Sequence, residues 1–117
     1  MAAATLIGID IGTTSVKAVM IGLDGARVAE TSTSYPTHHP TPGRVEQNPG
    51  DWLALVRDAL AGFAARPEGR AVRAICLTSQ VNTHVFVDSS LRVLHPALVW
   101  PDAQAAALDA EIGRAHV

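Results

Sequence analysis

Asp10-Ile11-Gly12-Thr13-Thr14-Ser15-Val16-Lys17 is the stretch on which the reading of the fold turns. On its amino side, Thr5–Ile11 is short, apolar and β-branched, and it stops at a glycine, the pattern of a buried strand. On its carboxyl side, Val16–Ile21 reads as a second strand. Gly12 lets backbone come close to a ligand, because no side chain obstructs it. Thr13, Thr14 and Ser15 offer hydroxyls and N–H groups in succession, suited to phosphate oxygens. Asp10 closes a strand buried enough that a free carboxylate is costly, and a magnesium ion with its waters is one way to satisfy it. Lys17 adds positive charge. An ordinary hairpin with a polar turn and a solvated lysine accounts for the same residues, and this stretch alone leaves both readings open. It is not a Walker A loop, since the second glycine followed by lysine is missing.

Working outward, Leu23-Asp24-Gly25-Ala26 is a turn, with Asp-Gly supplying the positive φ angles of a tight hairpin. Arg27–Ser34 is a third strand. Tyr35 to Asn48 holds three prolines, two histidines and a glycine without periodicity, and reads as a long loop. Asn48 and Pro49 open a helix: Asn48 caps the free N–H groups, Pro49 suits the first turn and Asp51 the positive end of the dipole. Trp52, Leu55, Val56, Ala59, Leu60 and Phe63 form one apolar stripe along Pro49 to Ala65, and Pro67 and Gly69 end it. Ala71–Leu77 is a buried strand. Val85–Val87 and Leu94–Trp100 read as a hairpin around Asp88-Ser89-Ser90, and Pro101 and Asp102 start a last, alanine-rich helix. A meander, a crossing helix, a strand and a further hairpin amount to an α/β fold with a mixed sheet.

With 117 residues, 48% apolar and 17% charged, the chain is sized for one small domain of ordinary globular composition. A net charge of −2 gives no reason to expect nucleic acid as a partner. The N-terminus lacks the basic region of a signal peptide, and no apolar run reaches the roughly 20 residues that span a bilayer. The expectation is a cytoplasmic protein with no membrane partner; nothing bears on oligomeric state. The lone cysteine, Cys76, lies in an apolar strand and is expected to be inert packing. His38 and His39 are adjacent on a loop, and His84 and His95 have no cysteine or acidic partner at ligand spacing, so no histidine metal site is expected.

Four stretches in order now carry a resemblance. Asp10 to Lys17 resembles the first phosphate motif of the FGGY carbohydrate kinases, the family of xylulose, glycerol and gluconate kinases. Pro42-Gly43-Arg44-Val45-Glu46-Gln47-Asn48-Pro49, followed by Trp52, resembles the family's substrate-side loop and the helix after it. Ile75-Cys76-Leu77-Thr78-Ser79-Gln80 with Val85-Phe86-Val87-Asp88 resembles its next strand, glutamine turn and hairpin. Pro96-Ala97-Leu98-Val99-Trp100-Pro101-Asp102 resembles the return strand and following helix. A non-kinase actin-like ATPase, such as a chaperone or filament protein, shares the opening turn, but the Glu46 to Pro49 and Ser79-Gln80 stretches argue against it.

The resemblance implies an actin-like, ribonuclease-H-like ATPase fold and transfer of the γ-phosphoryl of ATP to a hydroxyl of a small sugar or polyol. It implies that Asp10 acts through the Mg2+ of MgATP, and that Gly12, Thr13, Thr14, Ser15 and Lys17 sit near the ATP phosphates. Gln80, Val81 and Asn82 fall where the family places sugar contacts. Glycerol kinases carry Arg-Glu, and xylulose kinases Met-His, at the positions of Val81 and Asn82; this chain fits neither. Arg44 replaces a common aromatic, and Gln104 a common arginine. Asp102 and Trp100 line the same region in relatives, and a capping aspartate and a core tryptophan are their expected roles. The family's catalytic base is an aspartate well downstream, so no catalytic residue is expected here and residues 1–110 read as a partial, sugar-side N-terminal domain, inactive alone. Glu111 to Val117 resembles the translation of a common sequencing adaptor and is expected to be non-native. A stand-alone, non-catalytic sugar- or phosphate-binding module is the rival reading.

Overall fold

A computed structural model of the chain describes residues 3–106, 108 and 111. Three strands follow one another as β1 (Thr5–Ile11), β2 (Ser15–Gly22) and β3 (Arg27–Ser34), each antiparallel to the last. The β2–β3 turn has the expected Asp-Gly chemistry: Gly25 sits at φ 84°, and Asp24 Oδ1 accepts from Ala26 N at 3.0 Å. A helix, α1 (Pro49–Ala64), then carries the chain over the sheet to β5 (Val72–Ser79), which pairs parallel with β1. The strand order β3-β2-β1-β5 is therefore a mixed sheet, as the order of sequence patterns required.

One face of this sheet is the core. Ile7 and Ile9 of β1 and Val16, Ala18 and Met20 of β2 alternate inward with period two and pack with Ala59 and Phe63 of α1. Trp52, Leu55, Val56 and Leu60 complete the helical stripe against them. Asn48 caps α1 as expected, its Oδ1 accepting from Gly50 N at 2.9 Å. The opposite face is open, a groove of about 540 Å³ floored by Gly8, Asp10, Lys17, Cys76 and Thr78.

The structure corrects several expectations. The Tyr35–Asn48 loop contains a two-residue strand, β4 (Glu46–Gln47), paired antiparallel with β6 (Ala97–Leu98) in a separate small sheet. The hairpin expected from Val85–Val87 and Leu94–Trp100 is reduced to β6 and to isolated bridges His84–Leu98 and Val87–Val93. Its tip holds Leu91 at φ 62°, and Pro96 has no N–H to donate, so regular pairing cannot run along it. Pro67–Ala71 is a 3-10 turn rather than a plain break, and β5 begins after it. Cys76 is exposed, because no described residue covers the open face of the edge strand β5. Trp100 is 55% exposed and is not a core tryptophan. The last helix starts later than expected: Pro101, Gln104 and Ala105 are turn residues, and helical backbone is present at Ala106, Leu108 and Glu111. Residues 107, 109 and 110, and all of the expected non-native tail Glu111–Val117 except Glu111, lie outside the described residues.

Candidate functional site

Because β1 and β5 are parallel and adjacent, their carboxyl ends lie side by side, with Asp10 opposite Thr78 and Ile11 opposite Ser79. The chain leaves β1 into the Gly12-Thr13-Thr14 turn and leaves β5 into Gln80-Val81-Asn82. Gln80 N donates to Ile11 O at 3.0 Å and holds the second turn against the first. The two clusters, more than half the sequence apart, thus lie at one end of the sheet.

The β1–β2 turn closes on itself through Gly12 N, which donates to Ser15 O at 3.0 Å. A Cβ at Gly12 would lie 3.2 Å from that same oxygen and 3.8 Å from Asp10 Oδ2, so the glycine keeps the mouth of the turn narrow and clear. Ser15 is buried, Gly12 and Thr13 are half-buried, and Thr14 is exposed. Asp10 is half-buried on the open face beside the exposed Lys17, its cross-strand partner.

Beneath the turn is a hydrogen-bonded cluster that sequence reasoning missed. Gln47 has a fully buried side chain. Its Nε2 donates to Thr13 O and to Thr37 Oγ1, both at 2.8 Å. Its Oε1 accepts from Trp52 Nε1 at 3.1 Å and from Gln80 Nε2 at 2.9 Å. The buried Tyr35 donates its O–H to Gly12 O and accepts from Gln80 Nε2 at 3.4 Å. Burial pushes the Tyr35 phenol above its ordinary range; the Trp52 N–H works the other way, and the Asp10 carboxylate adds to the rise. Tyr35, Thr37 and Gln47 sit in a segment without periodicity, so only the burial of a polar side chain marks them, and burial is not written in the sequence there.

The three residues of the second turn divide. Gln80 faces inward and spends its amide N–H groups on Gln47 and Tyr35. Val81 is 72% exposed, and Asn82 is exposed in the left-handed region at φ 48°, which asparagine tolerates better than most residues. Trp100 joins them from beyond β6, its Nε1 donating to Thr13 Oγ1 at 3.3 Å.

A second cluster ties down the β4–β6 sheet. Asp102 accepts from Val45 N at 2.7 Å, from Gln104 N at 2.9 Å and from Gln104 Nε2 at 2.7 Å. Burial acts to raise the Asp102 pKa, but the Gln104 and Val45 donors and the Arg44 charge outweigh it, and the carboxyl is held below its ordinary range. Arg44 and Gln104, the two residues that depart from the family pattern, both reach the buried Glu46 carboxylate, at 2.8 and 3.4 Å from Oε2. Among the described residues no group of three or more His, Cys, Asp or Glu side chains is placed to hold a metal ion. No helix among the described residues is long and apolar enough to cross a membrane.

The model of the N-terminal domain of the FGGY family of carbohydrate kinases matches residues 5–116. The chain is 34% identical over 101 residues to a xylulose kinase of Bacillus subtilis, covering 85% of the chain and 20% of that protein. It is 37% identical over 108 residues to a glycerol kinase of Thermus brockianus, covering 88% and 21%. The structure superposes on a xylulose kinase from Rhodospirillum rubrum with a TM-score of 0.86 and 32% identity, over 97% of this chain and 23% of that one. The chain spans about a fifth of the length of the curated relatives it matches. Its partial α/β domain with a mixed sheet is that of the actin-like ATPase fold, and the chain belongs to the FGGY family of carbohydrate kinases.

Proposed function

We propose that this chain supplies the phosphate-binding and sugar-facing turns of a cytoplasmic, ATP-dependent kinase that moves the γ-phosphoryl group of ATP to a hydroxyl of a small sugar or polyol. One observation carries the reading: Gly12-Thr13-Thr14 and Gln80-Val81-Asn82 leave the carboxyl ends of adjacent parallel strands. In open α/β sheets, ligands bind in the crevice outside those ends. Bound there, a polyphosphate and a sugar are neighbours, and proximity with alignment is most of what phosphoryl transfer asks of a protein.

The residues present suit magnesium-bound ATP. Gly12 leaves the turn open to a close approach, and the exposed Thr14 hydroxyl and the Thr13 hydroxyl are available as donors. Among the described residues Asp10 is not joined by enough ligands to keep a resident ion, so magnesium arrives with the nucleotide and Asp10 meets it through water. MgATP supplies the transferable phosphoryl group. The chain's own residues hold it: Thr13, Thr14 and Ser15 orient phosphate oxygens and Lys17 offsets their charge. Asn82 offers donor and acceptor to a sugar hydroxyl, Val81 gives an apolar contact, and Gln80 acts by fixing that turn in place.

Binding without transfer is the expected behaviour of the chain alone, because the resemblance puts the base and most of the nucleotide site on segments beyond this one. Ile75 and Leu77 on β5 are 51% and 61% exposed, which weighs against a self-sufficient binding module. Amide NMR of the labelled chain tests the reading. MgATP should shift Gly12 to Lys17, and glycerol or D-xylulose should shift Val81 and Asn82, with no ADP formed in a coupled assay. Absence of any shift in Gly12 to Lys17 overturns the assignment of the turn, and turnover by the chain alone overturns the division of labour.

A further inference from the structure

We propose that Gln47, Tyr35 and Gln80 form a positioning ring that turns the carbonyls of Gly12 and Thr13 inward and thereby aims the N–H groups of Thr13 and Thr14 outward, at the phosphates of the nucleotide. The proposal deepens the reading of the β1–β2 turn as the phosphate site and rests on it.

The geometry starts from the peptide bond. In a trans peptide the C=O of one residue and the N–H of the next point in opposite directions, and the described chain has no cis peptide. Tyr35 O–H, from the buried side, takes Gly12 O. The peptide that follows must therefore present Thr13 N–H outward. Gln47 Nε2, also from the buried side, takes Thr13 O at 2.8 Å, and Thr14 N–H is presented outward in the same way. Among the described residues neither of these two N–H groups donates to a backbone or side-chain acceptor. Gly12 N, by contrast, is spent on Ser15 O, and Thr14 O is taken by Tyr35 N at 3.2 Å. Two successive free N–H groups on a turn form a concave anion site.

The ring has only one chemically consistent arrangement. Thr13 O can only accept and Trp52 Nε1–H can only donate, so Gln47 must direct its NH2 at the turn and its carbonyl at α1. With Thr37 Oγ1 and Gln80 Nε2 as the remaining partners, all four hydrogen-bonding positions of Gln47 are filled. Gln80 must then turn its own NH2 inward, where it reaches both Gln47 Oε1 and Tyr35 OH. The circuit Gln47–Gln80–Tyr35–Gly12–Thr13–Gln47 is closed, and through Gln80 it ties the sugar-side turn to the phosphate-side turn. A buried, satisfied amide in such a circuit has one orientation at low energy, which fixes the two peptide planes it holds.

Each anchor holds one peptide, so each variant should release one. Gln47→Glu keeps the shape but sets a carboxylate oxygen against Thr13 O; Tyr35→Phe removes only the hydroxyl on Gly12 O. In the 117-residue chain, residual dipolar couplings report the direction of each N–H bond without ligand. Gln47→Glu should reorient Thr14 N–H and spare Thr13, and Tyr35→Phe should do the reverse. In MgATP titrations the shift of the released amide should be lost, the other kept, and affinity should fall about tenfold in each variant, the worth of one good hydrogen bond. A purely structural role would loosen both amides together with the β1–β2 ladder. Wild-type couplings that place either N–H inward overturn the proposal, as do variants that move both amides equally. If Gln47→Glu does not fold, Tyr35→Phe decides by the same criterion. Reoriented amides in a chain that ignores MgATP would uphold the ring and overturn the phosphate reading instead.

Discussion

The space in front of Gly12 is set by two oxygens, Ser15 O and Asp10 Oδ2, at 3.2 and 3.8 Å from where a Cβ would stand. The nearer one belongs to backbone that is already held by Gly12 N, so it has little freedom to give way. Gly12→Ala should therefore cost about 1 kcal/mol of stability, at the low end for overpacking, and a larger share of phosphate affinity, since the methyl stands at the mouth of the turn. Urea unfolding beside MgATP titration checks this: the expected result is a small loss in the first and at least a tenfold loss in the second. At the same scale, Arg44 and Gln104 explain each other. Both depart from the family pattern, and both place donors on the buried Glu46 carboxylate, where a carboxylate without partners would be costly. Residue by residue the departures looked unrelated; in space they serve one charge.

At the scale of elements, β4 and β6 are each two residues long and cannot hold together by pairing alone. What secures them is the clasp of Asp102 on Val45 N, joined by Val99 N to Val45 O at 3.0 Å and Ala103 N to Gly43 O at 2.7 Å. Asp102 is held below its ordinary pKa in the folded chain, so the charged form is the stabilising one. Its contribution is present above the unfolded aspartate value, near pH 4, and is lost as pH falls toward the folded value. Acidification below pH about 4 should open the β4–β6 sheet before the four-stranded sheet. Amide exchange at Val45 and Ala103 measures it, and Asp102→Asn should abolish the acid step while leaving β1 and β2 protected. Since Gln47 lies in β4, the clasp also secures the ring under the β1–β2 turn.

Across the whole molecule, the apolar residues are unevenly spent. One face of the sheet is closed by α1, while Ile75 and Leu77 on β5, and Phe86, Leu94 and Trp100 beyond it, stay exposed. β5 is an edge strand with Arg73 as its only charge and no proline. Such an edge is a template for pairing with another chain. Sedimentation velocity should show association of the 117-residue chain that grows with concentration, and Leu77→Lys should reduce it by placing a charge on the edge. A wild-type chain that stays monomeric across the range would contradict this.

The sequence by itself determined what depends on local chemistry. Short apolar runs set β1 and β2; the Asp24-Gly25 turn set β3 as the strand that follows; Asn48-Pro49 set the start of α1 and its stripe set which side faces the sheet. The four motifs in order also carried the resemblance to the family whose model matches residues 5–116. Tertiary structure alone decided whatever depends on partners far along the chain. Glu46-Gln47 carry no strand pattern and become β4 only because Ala97-Leu98 arrive beside them. Val85–Val87 carry a strand pattern and do not become a strand: the returning segment meets them only in the isolated bridges His84–Leu98 and Val87–Val93, with Leu91 in the left-handed region at the tip and Pro96 lacking an N–H to extend the ladder. Gln47 is a polar letter in a loop until burial fills its four hydrogen bonds. The physical reason is the same in each case: a hydrogen bond has a local cost in ordering and desolvation, and its compensation comes from a partner that only the fold brings near.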